Sequence, residues 1–445
     1  MTDRTNTGTA ALAVEGQRPP AKDPRYERWR RTVFATTWLA YAGFYLTRKS
    51  FAVAKIGMLK DPAIHIDKGV LGAIDAAYLI AYAIGQFAFG IAGDRFGCRK
   101  IVMIGLLVSI AAGFAMGVSS IALLFGVFFF IQGLAQSSGW APLTKTIGCW
   151  FSRKERGRTY GWWCTNYAIG GLIAAPFAGY MAERFHSWRF AFFIPAGALF
   201  GIWLIFVIFQ RNRPEDMGLP PIEEYHCESA PEMPGAKSEE QDGSWDAIGA
   251  ALKNRIILRL AVVYFFLKPT RYAILLWGPL LVSERLGTGM AKSGLISAFF
   301  ELGGPLGMLF CGYMSDRVFQ ARRMPICVIS LLALSVVTFS FDPLTRGGGV
   351  WMTCAVLFAI GFLLFGPDSL IVATAAVDFG TKKGASSAVG LINGFGSIGA
   401  ILGGSLPGII SERYGWGILF YGLGAAVFIA ALLLVPKWNA VPAHD

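Results

Sequence analysis

Long apolar runs alternate with short polar connectors along nearly the whole chain. A helix needs about 20 such residues to cross the hydrocarbon core of a bilayer. The pattern predicts twelve spans, over 31–54, 69–92, 101–118, 121–148, 159–183, 188–210, 256–284, 290–314, 324–341, 350–375, 385–410 and 416–436. The longest polar interruption, within 211–254, contains "RNRPEDMGLPPIEEYHCESAPEMPGAKSEEQDGSW" and is rich in Pro, Glu and Gly. It divides the spans six plus six. The organisation expected is a segment over 1–30, a six-helix bundle over 31–210, a linker over 211–254, a second bundle over 255–437 and a tail over 438–445.

Composition agrees with an all-α polytopic membrane protein. The 445 residues are 54% hydrophobic and only 15% charged, where a soluble chain carries about a quarter charged residues. Mean hydropathy is +0.51. The net charge of +12 sits in connectors rather than on a basic face, so a nucleic-acid partner is not expected. One set of connectors holds Arg25/Arg28/Arg30/Arg31, Arg95/Arg99/Lys100, Arg153/Lys154/Arg156/Arg158, Arg211/Arg213/Lys253/Arg255, Arg317/Arg322/Arg323 and Lys382/Lys383. The alternate connectors hold fewer, such as Lys55/Lys60/Lys68, Arg184/Arg189 and Arg413. The positive-inside rule then puts both termini and the central loop in the cytoplasm. Residues 1–24 carry no hydrophobic signal core, so the first helix is expected to act as its own insertion signal. The seven cysteines show neither a disulfide framework nor metal-type spacing. No catalytic triad, paired catalytic carboxylates, cofactor loop or metal cluster is legible, so an enzyme is not expected.

The halves resemble each other. "GDRFGCRK" at 93–100 is echoed by "SDRVFQARR" at 315–323, with Asp94 and Asp316 222 residues apart. "AERFHSWR" at 182–189 is echoed by "SERYGWG" at 411–417, with Glu183 and Glu412 229 apart. Repeats in one orientation imply two bundles related by an axis along the membrane normal, with a site between them. Arg48, in "FYLTRKSF", and Arg271, within span 7, are 223 apart. They occupy equivalent positions and are expected to face one another across that axis. Two planar guanidinium forks suit a shared phosphate or carboxylate. The competing expectation is that each merely locks two helices by pairing with Asp75, Glu301 or Asp368, carboxylates inside apolar runs.

Other groups are expected around the same cavity. Tyr41 and Tyr45 precede Arg48 on nearly its own helix face. Trp140 stands where Gly139 and Pro142 break span 4; Asn166 and Tyr167 lie in span 5, Gln86 in span 2. Lys268 sits one turn before Arg271 with Pro269 between; a lone intramembrane lysine is a functional candidate. Lys49 points about 100° away from Arg48 and reads better as a helix-pairing cation. The turns holding Asp94, Arg95, Asp316 and Arg317 read as gating or bundle–bundle ion pairs. The glycine-rich tracts at 170–179 and 390–408 read as close helix packing.

The "G-x-x-x-D-R-x-G-x-R-K" turn at 90–100 resembles the signature of the major facilitator superfamily. "YLTRKSFAVA", "SSGWAPLTKTIGCWFSRKERG", "GLPPIEEY", "FELGG…CGYMSDRVF" and "GFLLFGPDSLI" resemble its organophosphate:phosphate antiporter family, over about 25–440. The resemblance implies the major facilitator fold, with substrate phosphate held between helix-1 and helix-7 arginines matching Arg48 and Arg271. Inorganic phosphate would be exchanged for an organic ester as the bundles rock. Tyr41, Tyr45, Trp140 and Glu301 also match. Where the family usually has a helix-2 Lys this chain has Gln86; where it has a helix-5 His this chain has Tyr167; Lys268 replaces a common Tyr. Lys268 is therefore expected to compensate for the absent helix-2 Lys.

Three readings follow. The first is an exchanger of a sugar phosphate or glycerol-3-phosphate for inorganic phosphate, a monomer in the bacterial inner membrane. The second is a sensor of an external sugar phosphate on the same fold. The third is a proton-coupled symporter using Asp75, Glu301 or Asp368.

Overall fold

The computed structural model describes residues 23–226, 253–320, 322–375 and 385–439. The start of the N-terminal segment, linker residues 227–252, Lys382, Lys383 and residues 440–445 lie outside the described residues, as do the side chains of Asp94, Arg153, Lys154 and Arg156.

Eight of the described helices are long and apolar enough to cross a membrane. The last of these divides at Gly415, where φ is 81°. Adding Pro24–Met58, Thr165–Arg184 and the shorter apolar Arg323–Phe339 gives twelve spans. They are α1 (Pro24–Met58), α2 (Lys68–Phe96), α3 (Cys98–Val118), α4 (Ala122–Ser137, resuming as Trp140–Trp150), α5 (Thr165–Arg184, entered from Arg153–Trp163) and α6 (Phe190–Phe209). The second half holds α7 (Arg255–Leu286), α8 (Met290–Arg317), α9 (Arg323–Phe339), α10 (350–369), α11 (385–414) and α12 (416–434).

Local chemistry sets the ends. α1 begins well before residue 31 because Pro24 supplies a pre-formed first turn and the Asp23 carboxylate caps the Arg25 N–H at 2.8 Å. It also runs past residue 54, which draws Lys55 inside the helix. Span 4 breaks at Ser138–Gly139, as its glycine and proline predict. Span 5 breaks at Cys164.

Among the described residues the bundles meet chiefly at α1 on α7, α2 on α11 and α5 on α8, with α1 also touching α8. Small residues allow the approach. A Cβ on Gly72 would lie 2.6 Å from the Ser405 carbonyl oxygen, and one on Gly294 2.6 Å from that of Ala175. Gly179 meets the Met290 carbonyl and Gly408 meets that of Lys68 more tightly still. One set of polar contacts between the bundles lies at the end opposite the termini. Lys68 Nζ reaches Glu284 at 2.8 Å, Gly69 N reaches Glu412 at 3.2 Å, and Ala291 N reaches Glu183 at 3.0 Å. The molecule is therefore closed at that far end.

The first part of the expected linker is an ordered strap under the first bundle. Pro214–Met217 forms a 3-10 turn, Gly218 takes φ 68°, and Ile222–Tyr225 forms a helical turn. Tyr225 stacks on Tyr26 with centroids 3.9 Å apart, and its hydroxyl accepts from Asp23 N at 2.9 Å. Leu219 and Ile222 pack with Tyr26, Val33 and Trp150.

Candidate functional site

Arg48 lies mid-α1, 7% exposed. Its Nε donates to Gln136 Oε1 at 3.0 Å, and the guanidinium covers the Tyr45 ring at 4.5 Å and the Tyr82 ring at 5.0 Å. Gln136 is itself fixed in place, because its amide donates to Thr47 Oγ1 (3.0 Å) and Ser109 Oγ (3.1 Å), and Tyr78 donates to its oxygen at 2.9 Å. Arg48 Nη2 is buried and makes no hydrogen bond to the protein, so it can donate to an incoming acceptor.

The second half answers with a different arrangement. Arg271 Nη1 donates to Asp368 Oδ2 at 2.5 Å, and Lys268 Nζ lies 3.1 Å from Asp368 Oδ1. Arg271 covers the Phe365 ring at 4.4 Å, and Lys268 covers that of Tyr264 at 4.4 Å. Tyr45 and Tyr272 each lie near both Arg48 and Arg271, so the two cationic groups share tyrosine neighbours. The expectation of two bare guanidiniums is corrected: Arg271 already holds a carboxylate. Arg48, Lys268, Arg271 and Asp368 together carry a net charge of +2.

The remaining candidates fall into two sets. Tyr41, Trp140 and Tyr167 form an aromatic wall with Trp163; centroids from Trp140 are 5.3, 6.4 and 5.5 Å to Tyr41, Tyr167 and Trp163. Tyr167 also reaches across to Met308 Sδ on α8 at 3.3 Å. Gln86 is exposed on α2 and, with Tyr41, flanks the Tyr82 hydroxyl beside Arg48. Asn166 is fully buried, with both amide atoms lacking a hydrogen-bond partner. Lys268 has a geometry that competes with simple replacement of a missing lysine, since its ammonium sits on Asp368.

Lys49 faces away from Arg48 and joins the bundles. Its ammonium binds Glu301 Oε1 at 2.9 Å and the Leu275 carbonyl at 3.1 Å. Residue 279 is proline and has no N–H to offer that carbonyl. Six residues on, Lys55 binds Asp75 and the Leu276 carbonyl (3.1 Å), and lies 3.7 Å from the Trp277 ring centroid. Reading Lys55 as a connector cation is thus corrected: it is fully buried. Arg95 is exposed beside Phe96, and Arg317 is exposed. Asp316 pairs with Arg323 of its own bundle, so the bundle–bundle pairing expected of Asp316 is not made in this conformation.

Gln136, Tyr82, Tyr264 and Tyr272 belong to the constellation although the sequence did not place them there, and Asp368, one of three carboxylates expected to compete for the arginines, is the one on Arg271. The signals were present: a glutamine and a carboxylate inside apolar spans, and Tyr78 and Tyr82 one helical turn apart.

Two helical bundles closed against each other at one end, with Arg48 buried in the first and Arg271 partly buried in the second, have the architecture of a membrane transporter. The profile of the Major Facilitator Superfamily matches residues 37–393 and 294–444. A probable hexose phosphate transport protein of Chlamydia trachomatis is 32% identical, covering 95% of this chain and 94% of its own. A glycerol-3-phosphate transporter of Bacillus subtilis is 32% identical, covering 94% of each. The membrane sensor protein UhpC of Escherichia coli is 31% identical, covering 94% of each. The chain belongs to the major facilitator superfamily and, within it, to the organophosphate:phosphate antiporter family. It is a multi-pass membrane protein.

Proposed function

We propose that the protein exchanges a small organophosphate, a sugar phosphate or glycerol-3-phosphate, for inorganic phosphate by alternating access. The observation that carries this reading is the net +2 cluster with a buried, unpartnered Arg48 Nη2. A phosphate dianion bridging Arg48 and Arg271 neutralises that charge and supplies the missing acceptor. Tyr45 and Tyr272 line the bridge; Tyr41, Trp140, Tyr167 and Gln86 border the space for the organic moiety, while Asn166 is enclosed behind it. The names of the relatives support phosphorylated cargo. The protein acts as a monomer in the bacterial inner membrane with both termini cytoplasmic, as its connector charges indicate, so the closed far end is external.

Exchange is favoured over uniport because an empty site with two uncompensated charges resists enclosure in a low-dielectric interior. The test is counterflow in proteoliposomes: phosphate-loaded vesicles take up labelled glucose-6-phosphate or glycerol-3-phosphate without a proton gradient. Absence of exchange with any phosphate ester defeats the proposal. Saturable binding without counterflow would instead support the sensor reading, for which one relative's name speaks. Uptake of an uncharged sugar driven by acid would support the symporter reading. That reading has less behind it, since Asp75, Glu301 and Asp368 are each already ion-paired.

A further inference from the structure

We infer that Asp368 is the resident counter-anion of the binding site: it occupies Arg271 in the empty protein and yields that guanidinium to an oxyanion of the cargo, remaining on Lys268. The inference rests on the reading that phosphate is cargo.

The two bundles treat their arginines differently. Arg48 is oriented by a neutral amide, Gln136, and keeps one buried N–H group without an acceptor. Arg271 has a carboxylate in the place an external oxyanion would take. The two oxygens of Asp368 are divided between partners, Oδ2 with Arg271 and Oδ1 with Lys268. Tyr264 lies beside the carboxylate. Releasing Arg271 therefore leaves Asp368 ion-paired with Lys268 at 3.1 Å, so the buried carboxylate keeps a countercharge.

The pair lies wholly in the second bundle, Arg271 on α7 and Asp368 on α10. Rocking of one bundle against the other does not pull it apart, so it is not a gate; a competing anion does. The backbone directly after Asp368 is suited to a small displacement, because Leu370–Ala375 is wound as a π-helix, a form frequent at functional sites. The consequence is a site whose empty charge is +2 rather than +3. That matches a dianion, and it lowers affinity enough for cargo to leave again.

The main rival is a brace that permanently aims Arg271. The two make opposite predictions for phosphate binding to the purified full chain in detergent, measured by calorimetry with inorganic phosphate. Under the inference, Asp368→Asn tightens phosphate binding about tenfold, the scale of one charge-assisted hydrogen bond. It also slows exchange at saturating phosphate, because release is retarded, and Asp368→Glu restores wild-type behaviour. Lys268→Ala weakens binding, since the carboxylate then belongs to Arg271 alone. Binding to Asp368→Asn that is unchanged or weaker than wild type overturns the inference. Should that variant not be recovered folded, unchanged or tighter binding to Lys268→Ala overturns it. A wild-type protein that neither binds nor exchanges phosphate defeats the proposed function; one that exchanges phosphate while Asp368→Asn binds it weakly defeats only the counter-anion role.

Discussion

Arg48 and Lys49 are neighbours in the chain with unlike roles. A residue-to-residue turn of about 100° sends one guanidinium among its tyrosine neighbours and the adjacent ammonium onto Glu301 of the opposite bundle. Arg48→Lys removes the planar fork while keeping the charge. We expect phosphate exchange to fall at least about tenfold in this variant, measured as initial counterflow rate at matched protein incorporation. Lys55 makes a different demand. Its loss leaves the Asp75 carboxyl unpaired in a site with no solvent access, so Lys55→Ala should destabilise by about 3–5 kcal/mol. The double replacement Lys55→Met with Asp75→Leu should recover most of that, read from thermal unfolding in detergent. Lys55 escaped sequence reading because a cation near the end of an apolar run looks like a flank; only the added turn of α1 buries it.

At the level of elements, α7 gains its role from its prolines. Pro279 deprives the Leu275 carbonyl of its intrahelical N–H, and Lys49 of α1 supplies the donor instead. A helix defect in one bundle thus becomes a docking point for the other. The strap at 214–226 shows the reverse case, where composition misleads. Proline and glutamate suggest a plain linker, yet Leu219, Ile222 and Tyr225 are spaced to close over Tyr26 and Trp150. Tyr225→Ala removes the stacked ring, and a loss of about 1 kcal/mol is expected. It should appear as a melting temperature lower by a few degrees, with counterflow retained because the strap lies far from Arg48 and Arg271.

Across the whole molecule, the far end is sealed by backbone meeting backbone at glycines. Flexible side chains at such contacts adapt, but a carbonyl 2.6 Å from a new Cβ does not. Gly294→Val or Gly72→Val should therefore hold the bundles apart at that end. Spin labels at His65 and Tyr414, one on each bundle, should report a longer distance in these variants than in the wild type, and exchange should be lost. An unchanged distance distribution would mean that the helices accommodate the methyl groups and that these glycines do not set the closed state.

Much of this architecture was determined by the sequence alone. Span number, the six-plus-six division and the family all follow from hydropathy, repeats and motifs, because burying a helix in lipid leaves a one-dimensional record. Tertiary structure decided what the charges do. Asp368 is one carboxylate in an apolar run until α10 lays it between Lys268 and Arg271. Gln136 is one amide until α4 brings it to Arg48. Glu301 is no more than a candidate until α8 meets α1. Ion pairing depends on separations of a few ångströms between segments tens to hundreds of residues apart, and hydropathy carries no record of that distance.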